Sequence, residues 1–400
     1  MPKDYSPFTP GLPVPLEFFV GRLNEVNRLK EKVSASTTGR LEIAFVSGER
    51  GIGKSSLASF VRFIAERDDK VIGVHTFLGG VTSLEEMVRR VFERLLKDNV
   101  EKPWFGKLKE FFGTKVSKVG LFGVSVEFAA QPQDLKRLVD DFPGVLRNLM
   151  RAVQSETRGL CLVLDDINGL ASSPAFADWL KSFIDETATS GERLPLCLVL
   201  VGLEERRRAL IDNNPSLARV FDLIDISAWD MNETSEFYTT AFEEAGATVQ
   251  PEAMRHMTRY AGGLPVLAHE IGDAVFKIDR DGVIDREDAL KGIIEAADIV
   301  GRKYLEPQVF QLIRSPRYRA ILRRFAQAKA FDDSFKRSDL LALLATPEAK
   351  VLDNFLARMK SLDVMRADPE RGPGWYRFPN LLHSVYFYLE ANRAKESPED

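Results

Sequence analysis

The sequence predicts an α/β core with a parallel sheet flanked by helices, then a helical lid subdomain, then a C-terminal helix–turn–helix carrying a β-hairpin wing. Three observations carry this. Apolar runs with the character of buried strands alternate with helical patterns from residue 19 to about 230. The strand signals then stop, and 231–303 shows helical periodicity alone. From 304 to 390 helical patterns give way to two short strand-like runs around a Gly/Pro-rich turn.

In the core, the candidate strands are Leu41–Ser47, Val71–Phe77, Leu160–Asp166, Leu194–Gly202 and Phe221–Ser227. Several are apolar on both faces, as strands of a parallel sheet covered on both sides must be. Helical patterns lie between them at 54–66, 82–98, 133–155 and 174–188. One insertion, 101–130, breaks the alternation with an aromatic and lysine-rich piece followed by alternating runs interrupted by Gly120 and Gly123, which read as a β-hairpin. It is either an elaboration packed on the core or a contact surface for a neighbouring subunit or ligand. Residues 1–18 carry five prolines and no helical period, so they read as an extended arm, and 391–400 reads as a disordered tail.

Composition narrows the function classes. The chain has 400 residues, enough for two or three domains, with 44% hydrophobic and 28% charged residues, an ordinary soluble balance. A net charge of −4 means that any nucleic-acid-binding surface is local. Cys161 and Cys197 each sit in an apolar strand-like run and read as structural thiols in a reducing compartment. The N-terminus lacks an apolar signal core and no stretch reaches the length of a membrane span, so a cytoplasmic protein without membrane contact is expected.

The stretch Gly48-Glu-Arg-Gly51-Ile52-Gly53-Lys54-Ser55 matches G-x-x-x-x-G-K-[ST] between a strand and a helix. Glycines let backbone N–H groups turn inward around phosphates, and the helix N-terminus adds a favourable dipole. The predicted nucleotide contacts are Gly48, Gly51, Ile52, Gly53, Lys54, Ser55 and Ser56, with Lys54 on the β- and γ-phosphates and Ser55 on Mg²⁺. The partner motif is the apolar strand 160–164 ending in Asp165 and Asp166. Asp165 would hold the Mg²⁺, and Asp166 could polarise the attacking water. Because the second acid is Asp and not the longer Glu, the motif predicts binding of ATP/ADP more firmly than fast hydrolysis. Together these features predict a P-loop NTPase core.

Phe19-Val20-Gly21-Arg22 resembles the FVGR box of AAA+ and STAND ATPases, and is similar in particular to that of the origin-recognition proteins and archaeal-type ATPases. The resemblance implies that Val20 and Gly21 lie over the adenine. Gly262-Gly263-Leu264-Pro265 resembles the Gly-x-Pro signature of STAND proteins, which implies a nucleotide contact for Pro265; an ordinary helix–turn–helix junction is the other reading. The sequence departs from the AAA+ pattern in two places. His269 follows where an arginine usually reads the γ-phosphate, and Val201-Gly202-Leu203 lacks the usual polar sensor. The family also implies an arginine supplied by a neighbouring copy, hence a homo-oligomer. Arg219 stands at the matching place, with Arg206, Arg207 and Arg208 as competitors.

In the C-terminal module, Thr346-Pro347 reads as a helix start, and Leu352, Phe355, Leu356 and Met359 fall on one helical face. Two short runs, 364–367 and 375–378, flank the turn Asp368–Gly374, and a winged helix is the economical reading. Between 311 and 389 there are 14 Lys/Arg against 8 Asp/Glu. Lys350, Asn354 and Arg358 on the helix and Arg366, Arg371 and Arg377 on the wing would contact double-stranded DNA. In STAND proteins, by contrast, such a module packs on the ATPase core as a clamp. The sequence therefore predicts an oligomerising, DNA-linked ATPase, or alternatively a signalling switch with a structural nucleotide and a protein partner.

Overall fold

The apolar run after the first helix enters the interior of a sheet. In chain order the first unit holds α1 (Leu23–Ser36), β1 (Leu41–Gly48), α2 (Lys54–Ile64), β2 (Ile72–Phe77), α3 (Leu84–Asp98), α4 (Phe105–Phe112), β3 (Val116–Lys118), β4 (Val126–Phe128), α5 (Pro132–Asp140), α6 (Phe142–Ala152), β5 (Leu160–Asp165), α7 (Pro174–Thr189), β6 (Leu196–Val201), α8 (Glu204–Asn213) and β7 (Asp222–Ile226). The computed structural model describes residues 5–12, 19–118, 126–310, 315–327 and 334–396. The first unit spans Pro15–Ser227; the second joins Met1–Val14 to Ala228–Asp400.

Five strands pair in parallel in the order β2-β5-β6-β1-β7. Each was expected from its apolar run. β5 and β6 are buried along their whole length, whereas the edge strand β7 alternates between exposed and buried residues. This order brings the C-terminal ends of β1, β5 and β6 side by side, where parallel α/β sheets hold ligands. Cys161 faces Cys197 across β5 and β6, and both are buried free thiols.

The insertion joins this core. β3 and β4 form the antiparallel pair expected, with Gly120 and Gly123 outside the described residues. Leu108, Phe112 and Phe128 enter the same apolar cluster as Phe92 of α3, whose ring lies 5.0 Å from Phe112 and 5.5 Å from Phe128. The packed-elaboration reading thus accounts for this face of the segment.

The second unit contains α9 (Met231–Glu244), β8 (Thr248–Val249), α10 (Pro251–Ala261), α11 (Pro265–Ile278), β9 (Val283–Ile284) and α12 (Arg286–Val300). A wide-turned helical segment, Gly301–Phe310, continues α12. Next come α13 (Pro316–Gln327), β10 (Ser334–Lys336), α14 (Arg337–Ala342), α15 (Thr346–Ala349), α16 (Leu352–Ser361), β11 (Arg366–Ala367), β12 (Trp375–Arg377) and α17 (Leu381–Glu396). The last three strands form an antiparallel sheet in the order β10-β12-β11.

Three details differ from the sequence expectation. The N-terminal arm is anchored: Phe8, 4% exposed, sits among Phe237, Tyr238, Phe242 and His269, over Gly272, where any Cβ would collide with its ring. The helix expected to start with a Thr346 cap is split into α15 and α16. Ala345 precedes α15, its N–H donating to the Glu348 carboxylate at 2.7 Å, and Thr346 already lies inside the helix. Finally, α17 runs to Glu396, through most of the stretch expected to be disordered; its tail beyond 396 lies outside the described residues. Among the described residues no helix is long and apolar enough to cross a membrane.

Candidate functional site

The loop between β1 and α2 is built by its glycines. Gly53 adopts φ 96°, a left-handed conformation that β-carbon residues avoid, and caps α2 so that Lys54 opens the helix. At Gly48 a Cβ would lie 2.8 Å from the Ile226 carbonyl oxygen, so only glycine lets β1 run this close to β7. Gly51 is also at positive φ, and Ile52 is buried beneath the loop. Ser55 and Ser56 follow in the first turn of α2, both half-buried. This arrangement turns the N-terminus of α2, the positive end of its dipole, toward the loop.

Lys54 Nζ donates to the carbonyl oxygens of Gly48 at 2.9 Å and Glu49 at 2.7 Å. Burial pushes its pKa down, while the carboxylates of Asp165, Asp166, Glu205 and Glu49 act in the opposite sense. The ammonium therefore sits in a largely acidic surrounding, bonded to neutral carbonyls that a phosphate oxygen would outcompete.

Arg22 is a functional side chain whose task sequence reasoning missed. It is only 6% exposed, and its Nη2 donates to the Ile52 carbonyl at 3.1 Å, while Nη1 donates to the Ser227 carbonyl beyond β7. The guanidinium thus ties the phosphate-type loop to the end of β7. Just before it, Gly21 is at φ 68°, Val20 is buried, and Phe19 stacks on Phe60 of α2 with centroids 4.2 Å apart. Val20 and Gly21 are thereby fixed against the same helix that carries Lys54.

At the end of β5, Asp165 is 2% exposed and its Oδ2 lies 2.8 Å from Nε2 of His75 on β2. The His75 ring stacks on the half-exposed Phe77 at 4.5 Å. His75 was not anticipated, since it lies 90 residues away in sequence. Asp166 takes φ 56°, rare for a residue with a side chain. Asn168 Nδ2 donates to its Oδ1, and Asn168 Oδ1 accepts from the Leu203 N–H at 3.2 Å, at the end of β6. A Cβ on Gly79 would lie 2.9 Å from Asp166 Oδ2, so the loop after β2 leaves room for that carboxylate. The structure thus brings Lys54, Asp165 and Asp166 into one electrostatic environment at the C-terminal ends of β1 and β5.

Arg219 ends a short turn ahead of β7, exposed and with no bonded partner among the described residues. Its competitors are engaged locally: Arg206 donates to Ser172 at 2.8 Å, and Arg207 and Arg208 both bond Glu204.

In the second unit, Pro265 opens α11. Gly262 ends α10 at φ 57°, and a Cβ on Gly263 would collide with the Trp229 carbonyl oxygen; the Trp229 N–H donates to Gly263 O at 2.9 Å. The glycine pair therefore has a structural task of its own. His269 is buried, its Nδ1 accepts from the Thr9 N–H at 3.1 Å, and burial pushes its pKa down to about 4. It is neutral at pH 7 and cannot replace a cationic γ-phosphate sensor.

In the C-terminal module, Lys350 lies in the turn before α16, and Asn354 and Arg358 are exposed on that helix. Arg366 is bonded to Asp363 at 2.7 and 2.8 Å, and Arg371 lies over the Trp375 ring at 5.0 Å. Arg377 is exposed on β12.

A glycine-rich loop from a buried parallel strand into a helix, with a buried acid at the end of β5, defines a P-loop NTPase core. Residues 19–199 match the family described as AAA ATPase domain. Two solved structures share the fold. The Walker-type ATPase PABY2304 of Pyrococcus abyssi is 18% identical, with 97% of this chain and 99% of that one covered at a TM-score of 0.54. The Aeropyrum pernix ORC2 protein, solved in ADPNP–ADP complexes, is 15% identical, with 98% and 97% covered at 0.57. No curated protein matches the chain.

Proposed function

We propose that this protein is a nucleotide-controlled ATPase that binds ATP/ADP with Mg²⁺, hydrolyses ATP slowly in isolation, and acts as an oligomerising, DNA-linked factor in the cytoplasm. The observation that carries the reading is Lys54, at the head of α2, held by two loop carbonyls within the field of Asp165 and Asp166. Lys54 and the loop N–H groups would bind the β- and γ-phosphates, and Val20 and Gly21 the base, with Pro265 as a further contact.

The donor set suits Mg²⁺. Ser55 offers a hydroxyl and Asp165 a carboxylate, both hard oxygens, and among the described residues no group of three His, Cys, Asp or Glu side chains could hold a metal without help. Mg²⁺ takes most of its ligands from water and nucleotide phosphates, so one or two protein oxygens suffice. Such an ion supplies charge neutralisation on the phosphates. His75 keeps the Asp165 carboxylate aimed, Asp166 would orient and deprotonate the attacking water, and Arg219 of a neighbouring copy would stabilise the charge that develops.

The element order α13-β10-α14-α15-α16-β11-β12, in which β10 precedes the last helices and pairs with the hairpin that follows them, supports a winged-helix reading, and the exposed Lys350, Asn354, Arg358 and Arg377 support duplex DNA as its partner. A second reading is a signalling switch that binds a protein partner and uses its nucleotide structurally. It is favoured by the neutral His269 and by Gly202, which has no polar side chain. ATP turnover across a protein concentration series, with and without duplex DNA, separates the two. Specific activity rising with both supports the first; tight ATP binding with flat, negligible turnover supports the switch.

A further inference from the structure

From the geometry at the end of β5 we infer that Asn168 is a positioning residue for Asp166, linking that carboxylate to the end of β6. This inference rests on the ATPase reading above. The strand β6 ends at Val201, and neither it nor the following Gly202-Leu203 offers a polar side chain there. Asn168 supplies one from the neighbouring loop. Its amide oxygen takes the Leu203 N–H at 3.2 Å, which fixes which end of the amide faces Asp166, and its Nδ2 then donates to Asp166 Oδ1. A neutral amide uses both ends here; an aspartate at 168 would accept from Leu203 but repel Asp166, and an alanine would do neither.

The bond acts on an atypical backbone. Asp166 holds φ 56°, a left-handed conformation uncommon for a residue with a β-carbon and more accessible to Asp when its side chain is hydrogen-bonded. The Asn168 amide helps hold that conformation, leaving Oδ2 beside Gly79 and directing the carboxylate into the space the loop leaves for it. In the hydrolytic step, the water oxygen bonds to the γ-phosphorus, and the bond from that phosphorus to the bridging oxygen breaks with its electron pair leaving on ADP. The water proton passes to Asp166. A carboxylate free to rotate would be aimed at that water only part of the time.

The test is a double-mutant cycle of Asn168→Ala with Asp166→Asn, plus Asn168→Asp. Nucleotide affinity of Asn168→Ala should stay within about 3-fold of the parent, whereas turnover should fall about 10–100-fold, a part of the 10²–10⁴ that a positioned base contributes. Asn168→Asp should lose at least as much. In the Asp166→Asn background, Asn168→Ala should change the residual turnover by less than about 2-fold, because the group it positions is gone. Parental turnover in Asn168→Ala, or an equal loss in both backgrounds, would overturn the assignment. A crystal structure of Asn168→Ala with bound ADP tests the same role independently of activity. Asp166 should leave its left-handed conformation; if it keeps that φ and the position over Gly79, the assignment is wrong. A parent protein with no turnover under any condition would instead sink the ATPase reading, while the crystal structure still decides the role of Asn168.

Discussion

Removing the Arg22 side chain should loosen the nucleotide loop from a distance. The guanidinium is buried and donates to two carbonyls, those of Ile52 inside the loop and Ser227 after β7. A hydrogen bond from a charged group contributes about 1.5–3 kcal/mol, so Arg22→Ala should destabilise the first unit by about 3–5 kcal/mol, with the Ile52 carbonyl left without this donor. The backbone permits a sharper test. Arg22 has φ 61°, so Arg22→Gly removes the same bonds but relieves left-handed strain, an advantage of about 0.5–1 kcal/mol after the extra entropy glycine loses. Arg22→Lys keeps the charge without the fork that spans both carbonyls, and should recover less than half of the loss. If re-forming the loop costs about 1.4–2.8 kcal/mol on binding, ATP affinity in Arg22→Ala falls about 10–100-fold. Urea unfolding and titration calorimetry read the two effects. Parental stability and affinity in Arg22→Ala, or a less stable glycine variant than alanine variant, would refute the reasoning.

Lys54→Ala should abolish ATP binding and leave the unfolding midpoint unchanged or raised, since the free ammonium is held against a desolvation penalty; retained affinity removes the site assignment. Asp166→Asn should keep binding and lose turnover. Arg219→Ala should leave stability within about 0.5 kcal/mol, as an exposed side chain without a partner does, and lower turnover about 10³-fold at high protein concentration. Mixing it with Lys54→Ala, which can lend its own Arg219, should restore part of the rate; no recovery on mixing counts against action in trans. Phe8→Ala should destabilise the second unit by about 3–5 kcal/mol, measured as earlier proteolysis of that unit, because a buried ring leaves a void over Gly272. Acid should act through His269. Its imidazole takes a proton below an ordinary 6.5 when unfolded but only below about 4 when buried, with Asp273 opposing part of the shift. Stability is therefore full above pH 6.5 and falls by about 3 kcal/mol as pH drops from 6.5 to 4. His383, also pushed down to about 4 by burial, adds to the loss over the same window, so His269→Asn, which keeps an acceptor near the Thr9 N–H, should remove about half of the total slope in unfolding measured across it; an unchanged slope would assign it to other groups.

What could be read in the sequence was contiguous. The five sheet strands announce themselves as apolar runs because both faces are covered, and the Gly48–Ser55 loop is legible because its glycines, lysine and serine act within one turn of chain. The apolar face of α16 is legible for the same reason, as Leu352, Phe355, Leu356 and Met359 recur at helical spacing. The errors arose where a non-local contact decided the matter. Residues 1–18 have the composition of a free arm, and only the pocket formed by α9 and α11 makes Phe8 an anchor. The polar and charged run Ala-Asn-Arg-Ala-Lys-Glu at 391–396 reads as a tail until α17 is extended from a buried start.

The site shows the same division more strongly. Lys54, Asp165 and Asp166 carry motif signals, but the groups that orient them do not. His75 reaches Asp165 across 90 residues, Arg22 reaches Ser227 across 205, and Asn168 joins Leu203 across 35. None of these pairs has a local spacing that distinguishes it from an ordinary strand histidine, a solvated arginine or a turn asparagine. They become specific only because the order β2-β5-β6-β1-β7 places β2 beside β5, β5 beside β6, and β7 beside β1. The topology therefore pairs each motif residue with a supporting side chain or strand end from an adjacent strand: His75 for Asp165, the end of β6 for Asn168 and Asp166, and the end of β7 for the Arg22 clamp on the loop. In a P-loop core with this strand order, polar residues at the C-terminal ends of β2, β6 and β7 are the first places to look for what tunes the loop and its two acids.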